Sequence, residues 1–419
     1  MTHRAGAALL AAFLLLTAGC ATAASTAGAP SRGTASSRAG TVGTGAVTRA
    51  EPACTGATQP ARSLPAGATA MTKASPPGVV AGSAGGSPFG VAVSSGGRWA
   101  FASVGSDLGV LQVSTGRPAH LVRWINLPEV TSGAVITPDG RYLLLAAGNG
   151  AVVVSVSAAE HGSLQAVLGE LTAPGGSGTT NAIEVAVSAD GRYAFVSLEY
   201  TNQIAVFDIT TALADGFSGG YVGAIPTQAY PVGLAVSPDG QWLYATSEDE
   251  NARTEIGTLA VISVTQAESD PATAVVSTVA AGCNPVRVIT TADGSVVWVT
   301  ARASDALLAF SADGLRTDRT HALLADVRVG EAPVGLALAK NGSLVVVADS
   351  DRFGATGKTA SLAVVSVPDA LAGRSDALVG YLPAGQFPRD VAAGPDGSTV
   401  LVANYLSDQL ETVNLAALP

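Results

Sequence analysis

LAVSPDGQWLYAT (residues 234–246) is a short apolar run, a Ser-Pro-Asp-Gly turn, and a second apolar run that answers it at once. Pro, Asp and Gly in that order set a tight reversal, so the stretch reads as two short strands in an antiparallel hairpin. Six further copies follow the same pattern: VAVSSGGRWAFAS (91–103), AVITPDGRYLLLA (134–146), VAVSADGRYAFVS (185–197), VITTADGSVVWVT (288–300), LALAKNGSLVVVA (336–348) and VAAGPDGSTVLVA (391–403). Their turn glycines, from Gly97 to Gly397, are spaced by 43, 51, 49, 54, 48 and 55 residues. A period of that length belongs to a solenoid or a propeller.

A third run follows each hairpin, as in QIAVFDI (203–209) and LAVVSV (362–367), and a fourth leads to the next copy, as in HLVRWINL (120–127) and ALVGYLPAG (377–385). Four strands in each of seven units predict an all-β, seven-bladed propeller over residues 76–419. The last unit lacks its outer strand. PPGVVAGSAGGSP (76–88), which parallels VSTVAAGCNP (276–285), is expected to supply it from near Gly78 to Gly82, closing the ring and covering an open edge.

The N-terminus reads differently. MTHRAGAALLAAFLLLTAGC has a basic Arg4, an apolar stretch too short to span a bilayer, and small residues before Cys20. Residues 1–19 are therefore expected to be an export signal, and Thr17-Ala18-Gly19-Cys20 resembles the bacterial lipobox, which makes Cys20 the expected lipidation site. Residues 20–75 are rich in Ala, Gly, Ser, Thr and Pro, with little periodicity, and predict a flexible tether. The expected setting is extracytoplasmic, with a lipid-anchored monomer at the cell membrane. In that oxidising compartment Cys54 and Cys283 are a candidate disulfide.

The full chain carries a net charge of −10, and −11 without the signal's Arg4. That acidity argues against nucleic acid, and against electrostatic docking onto anionic lipid, so attachment to a membrane would rest on the lipid alone. No metal or cofactor signature is present: His3, His120, His161 and His321 do not cluster, no Gly-x-Ser-x-Gly elbow exists, and GATGKT (354–359) has Arg352 where a phosphate loop needs its first glycine. Trp99, Tyr142, Tyr193 and Trp242 recur at one repeat position and are read as packing residues.

Propeller topology places the links between blades and the loops between second and third strands on one face, around the channel mouth. The Pro-Asp-Gly turns lie on the other. Residues entering the inner strands at the mouth are Gly90, Gly133, Glu184, Gly233, Arg287, Gly335 and Asp390. Four glycines are expected to leave room there, with Glu184, Arg287 and Asp390, and Arg389 beside the last, as candidate ligand-binding residues. The loops SEDENARTEIG (247–257) and ADSDRFGATGKTA (348–360) bring Glu248, Asp249, Asp349 and Asp351, which read as solvated loop charge rather than a cation site.

Units such as PVGLAVSPDGQWLYAT (231–246) and FPRDVAAGPDGSTVLVANYLSDQLETVNL (387–415) resemble the YVTN-type repeats of the YncE-like propeller family, over roughly residues 76–415. The resemblance implies the fold and leaves the activity open. Two functions are weighed. The first is a binding or protein-interaction module that engages a protein, glycan or small molecule through the mouth. The alternative is a lactonase-like hydrolase, because seven-bladed lactonases resemble this repeat. In that family Gly-Pro-Arg-His stands at an inner-strand entrance, and Phe387-Pro388-Arg389-Asp390 is the nearest copy here. The resemblance would make Glu184 a general base, with Arg287 and Arg389 holding a carboxylate or an oxyanion.

Overall fold

A computed structural model describes residues 69–70, 80–114, 117–175, 181–249, 256–352, 360–416 and 418. The expected signal, Cys20 and Cys54 lie outside them.

The described chain forms seven sheets, each built outward from an inner strand. In blade 4, Pro231–Val236, Trp242–Ser247, Ile256–Ser263 and Val275–Cys283 run antiparallel, with Leu234 opposite Ala245 and Tyr244 opposite Val261. The inner strands are Val91–Val93, Thr131–Ile136, Ala182–Val187, Pro231–Val236, Pro285–Thr290, Pro333–Ala339 and Pro388–Ala393. Each packs against the next, and the seventh packs against the first, so the ring is closed. The protein is a seven-bladed propeller of four-stranded antiparallel blades.

In blade 7, Val80–Ser83 pairs antiparallel with Gln409–Asn414, Val80 lying opposite Thr412. In the expected tether, Thr69–Ala70 pairs in parallel with the outer strand of blade 6, Leu378–Pro383.

The turns owe their shape to one repeated device. The carboxylates of Asp139, Asp190, Asp239 and Asp293 accept the hydroxyl protons of Thr137, Ser188, Ser237 and Thr291, and also the backbone N–H two residues further on. The following glycines, Gly140, Gly191, Gly240 and Gly294, have φ of 70–75°, a left-handed conformation that costs glycine nothing. These bonds favour the ionised acid and hold the Asp293 carboxyl down to about 2. The turn face is thus accounted for by turn chemistry.

Between blades the packing is apolar. Fully buried Leu, Val, Phe and Ala from the second and third strands of adjacent blades interdigitate, as Phe195, Val206, Leu243 and Ile262 do between blades 3 and 4. At the mouth the cement becomes polar. Most inner strands skip register near their entrance, as between Pro231 and Leu234, which leaves an N–H without a ladder partner. A second-strand hydroxyl fills the gap: Ser103, Ser197, Thr246 and Thr300 accept the N–H of Gly90, Glu184, Gly233 and Arg287. The same hydroxyls donate to the carbonyls of Ser132, Val232, Val286 and Val334 in the next blade.

Candidate functional site

The hydroxyl latch fixes the backbone of the entrance residues, so their side chains project from defined points around the mouth. Glu184 Oε2 reaches Arg287 Nε at 3.1 Å, skipping the intervening blade, whose own entrance residue is Gly233. Glu184 Oε1 accepts the Val185 N–H at 3.2 Å and occupies the space that a side chain at residue 133 would need. Asp390 Oδ2 accepts the Val91 N–H at 2.9 Å, tying blade 7 to blade 1.

These groups are short of water. Burial pushes the Glu184 carboxyl up to about 7, with Arg287 pulling it back and Asp390 pushing the same way. Burial also raises Asp390, against the pull of Arg287. Glu184 therefore exchanges its proton near neutral pH, which is what a general acid or base requires.

Arg389 stands one residue before Asp390, and its guanidinium carbon lies 3.7 Å from the Phe89 ring centre and 5.7 Å from those of Phe387 and Tyr405. Its buried Nε has no hydrogen-bond partner among the described residues. Burial, followed by the charges of Arg287, Arg352 and Arg302, brings its pKa down to about 9. Ile183, Val232, Val286 and Val334, from four inner strands, form an apolar cluster with Phe89, which precedes the inner strand of blade 1.

A second ion pair is held in the loops of blades 4 and 5. Glu248 Oε2 is 3.0 Å from Arg302 Nη2 and accepts Asn284 Nδ2 at 2.9 Å. Nearby, Asn181 Nδ2 donates to Glu199 at 2.8 Å, and burial raises that carboxyl.

Two expectations are corrected by this geometry. The glycines do not leave open space: a side chain at residue 90, 233 or 335 would strike the backbone of the next inner strand, and at 133 the Glu184 carboxylate. They allow the blades to close up. Nor are the loop carboxylates simply solvated. Glu248 is buried in its ion pair, and Asp349 is 2% exposed, bonded to Ser361, with burial raising its pKa well above the usual range. Asp351 is raised to about 6 by burial and by Glu331. Among the described residues, no three His, Cys, Asp or Glu converge as metal ligands. GATGKT, 354–359, lies outside the described residues.

Sequence reasoning missed Arg302, Glu199, Asn284 and the aromatic residues around Arg389. One signal was available for the aromatics. Tyr230 and Phe387 each stand directly before the proline that opens an inner strand, and the structure holds both, like Asn284 and Ala332 at the same position, at a φ of 52–56°. Each of the two aromatic residues meets a loop tyrosine edge-on, Tyr200 at 6.3 Å and Tyr405 at 5.9 Å.

Cys283 is wholly buried at the end of the outer strand of blade 4 and is disulfide-bonded. Elsewhere, a cleft of about 350 Å³ opens on the turn face between blades 1 and 2, lined by Arg98, Trp99, Ser157 and Glu160. Arg98 there is exposed, so the cleft lacks the desolvated charge that marks the mouth.

Comparison with known proteins points the same way for the fold. A family model described as lactonase, 7-bladed beta-propeller, matches residues 133–257, which include Glu184 but not Arg287, Arg389 or Asp390. Blades 2 and 3 and the two inner strands of blade 4 are thus similar to that family. Among solved structures, a chain of Kuenenia stuttgartiensis hydrazine synthase is similar with a TM-score of 0.62 at 18% identity, over 79% of this chain and 96% of that one. At such identity the likeness shows the fold alone. No curated protein matches the chain.

Proposed function

We propose that the protein is a lipid-anchored, extracytoplasmic propeller that binds a small polar ligand at its channel mouth. The observation that carries this reading is the convergence of Glu184, Arg287 and Asp390 from blades 3, 5 and 7 into one desolvated cluster. Burying three charges at the centre of an otherwise apolar ring is costly for stability, which makes a functional site the better account of them. The YncE-like repeat pattern supports the scaffold role, and the lipobox-like Cys20 supports the anchor. A thermal-shift and calorimetric screen of small polar metabolites should find ligands whose binding is abolished in the double variant Glu184→Gln, Arg287→Met. Unchanged binding in that variant refutes the site. Release of the protein from the membrane fraction on Cys20→Ala tests the anchor, and its retention there refutes it.

A second reading, lactone hydrolysis, is favoured by the family match over residues 133–257 and by the near-neutral Glu184. Glu184 would take a proton from water as that water adds to the lactone carbonyl. The ring C–O bond then breaks, and the proton passes to the departing alkoxide, leaving a hydroxy acid. Arg287 would steady the oxyanion. Hydrolysis of a lactone panel by wild type and not by Glu184→Gln supports this reading, and silence across the panel removes it.

A further inference from the structure

The charges at the mouth do not balance locally. Arg287 has Glu184 and Arg302 has Glu248, each within ion-pair distance. Arg389 has no ion pair among the described residues. It packs against ring faces, Phe89 at 3.7 Å and Phe387 and Tyr405 at 5.7 Å each, while the Asp390 and Glu199 carboxyls act on it without forming an ion pair. A cation over an aromatic face gains far less than a desolvated guanidinium loses. Three further arginines, Arg287, Arg352 and Arg302, add repulsion. An unpaired cation held in place by three aromatic rings is arranged for a counter-ion that arrives from outside.

We propose that the ligand of this mouth carries a single carboxylate, which seats on the guanidinium of Arg389 against Phe89, Phe387 and Tyr405. The inference rests on the mouth being the binding site and adds the chemical class of what binds. A carboxylate supplies both things Arg389 lacks: a negative charge, and, once the guanidinium pivots over the Phe89 ring, an acceptor for the orphaned Nε–H. Planar carboxylates suit that fork geometry. A phosphate dianion fits less well, because the Asp390 and Glu199 carboxyls that act on Arg389 repel a dianion more than a monoanion, although Arg352, 6.0 Å from the Phe387 ring centre, also has no ion pair among the described residues.

The test uses the full chain and the arginine reagent phenylglyoxal, with modification at Arg389 read by peptide mass spectrometry against the exposed Arg98 and Arg374 as internal standards. Acetate, D-gluconate and D-glucuronate are the carboxylate probes. D-Glucose is the neutral control and inorganic phosphate the dianion. At least one carboxylate should slow modification of Arg389 about tenfold at ten times its dissociation constant, with no effect at Arg98. Glucose should not protect. Protection by no carboxylate, or stronger protection by phosphate than by every carboxylate, overturns the inference. The protecting acid should also raise the melting temperature of wild type and of Arg389→Lys more than that of Arg389→Gln. An equal rise in Arg389→Gln overturns it too. The two proposals fail separately: unchanged binding in the Glu184, Arg287 double variant overturns the mouth as the site, whereas binding lost in that variant together with no carboxylate protection of Arg389 in wild type overturns the ligand class alone.

Discussion

Glu184 and Arg287 meet at 3.1 Å from blades that are not neighbours, and the glycine at residue 233 is what lets them do so. The pair is buried, yet its acid stays near neutral because desolvation outweighs the arginine. The sign of the resulting pH dependence follows. A carboxyl at about 4.5 in the unfolded chain and about 7 in the folded one binds its proton more tightly when folded. Its contribution to stability is full below about 4.5 and is lost as pH rises through 7. Urea unfolding of wild type should therefore lose about 2–3 kcal/mol across that interval, a loss that is absent in Glu184→Gln. The same slope in both proteins would show that Glu184 is not the group responsible.

The pair of Glu248 and Arg302 makes the opposite kind of prediction, because no ligand need be present. Arg302→Ala leaves the buried Glu248 with only Asn284 for a partner. Breaking one side of such a pair costs about 3–5 kcal/mol, while replacing both sides by apolar groups costs much less. Chemical denaturation of Arg302→Ala and of the double variant Glu248→Met, Arg302→Met should show the single change to be the worse. If the double variant is the less stable, the pair contributes net stability.

How much of this was legible beforehand depended on distance along the chain. The turn aspartates were readable because each bonds within a few residues of itself, and chemistry that local repeats with the repeat. Glu184, Arg287 and Asp390 were readable as departures from a glycine position, although their mutual contacts were not. Arg302 was invisible, since its partner Glu248 lies 54 residues away in a loop whose length varies between blades. The contact of Arg389 with Phe89 spans the closure of the ring, which no local pattern reports. The glycines were misjudged for a related reason: absence of a side chain reads equally as a vacancy or as a close approach of backbones. Only the neighbouring strand decides which.

Closure gives a test of the architecture. Val80–Ser83 covers the open edge of Gln409–Asn414, so a strand that precedes blade 1 completes blade 7. Deleting residues 76–83 should lower the melting temperature and promote association through the bared edge. Light scattering and calorimetry of the deletion variant check both effects. An unchanged melting curve would mean that the ring closes without this strand.

The disulfide at Cys283 gives another. We propose Cys54 as its partner, linking the tether to the outer strand of blade 4. Peptide mapping without reductant should return a Cys54–Cys283 cross-linked peptide, and Cys54→Ser should lower stability by about 2–4 kcal/mol. A free thiol at Cys54 in the exported protein would assign the bond elsewhere.

The hydroxyl latch yields the last prediction. Thr246 Oγ1 accepts the Gly233 N–H at 2.9 Å and donates to the Val286 carbonyl at 2.9 Å, so one buried atom joins blades 4 and 5 directly behind Arg287. Thr246→Val keeps the shape and removes the oxygen. Two buried backbone groups then lose their partner, at about 1–3 kcal/mol each. Thr246→Ser keeps the oxygen and should restore most of the loss. Because Val286 precedes Arg287, the valine variant should also loosen the ion pair to Glu184, seen as a carboxyl that titrates higher in Glu184-labelled NMR spectra once the arginine's pull is weakened. Loss of stability without any movement of that titration would mean that the latch binds the blades but does not position the site.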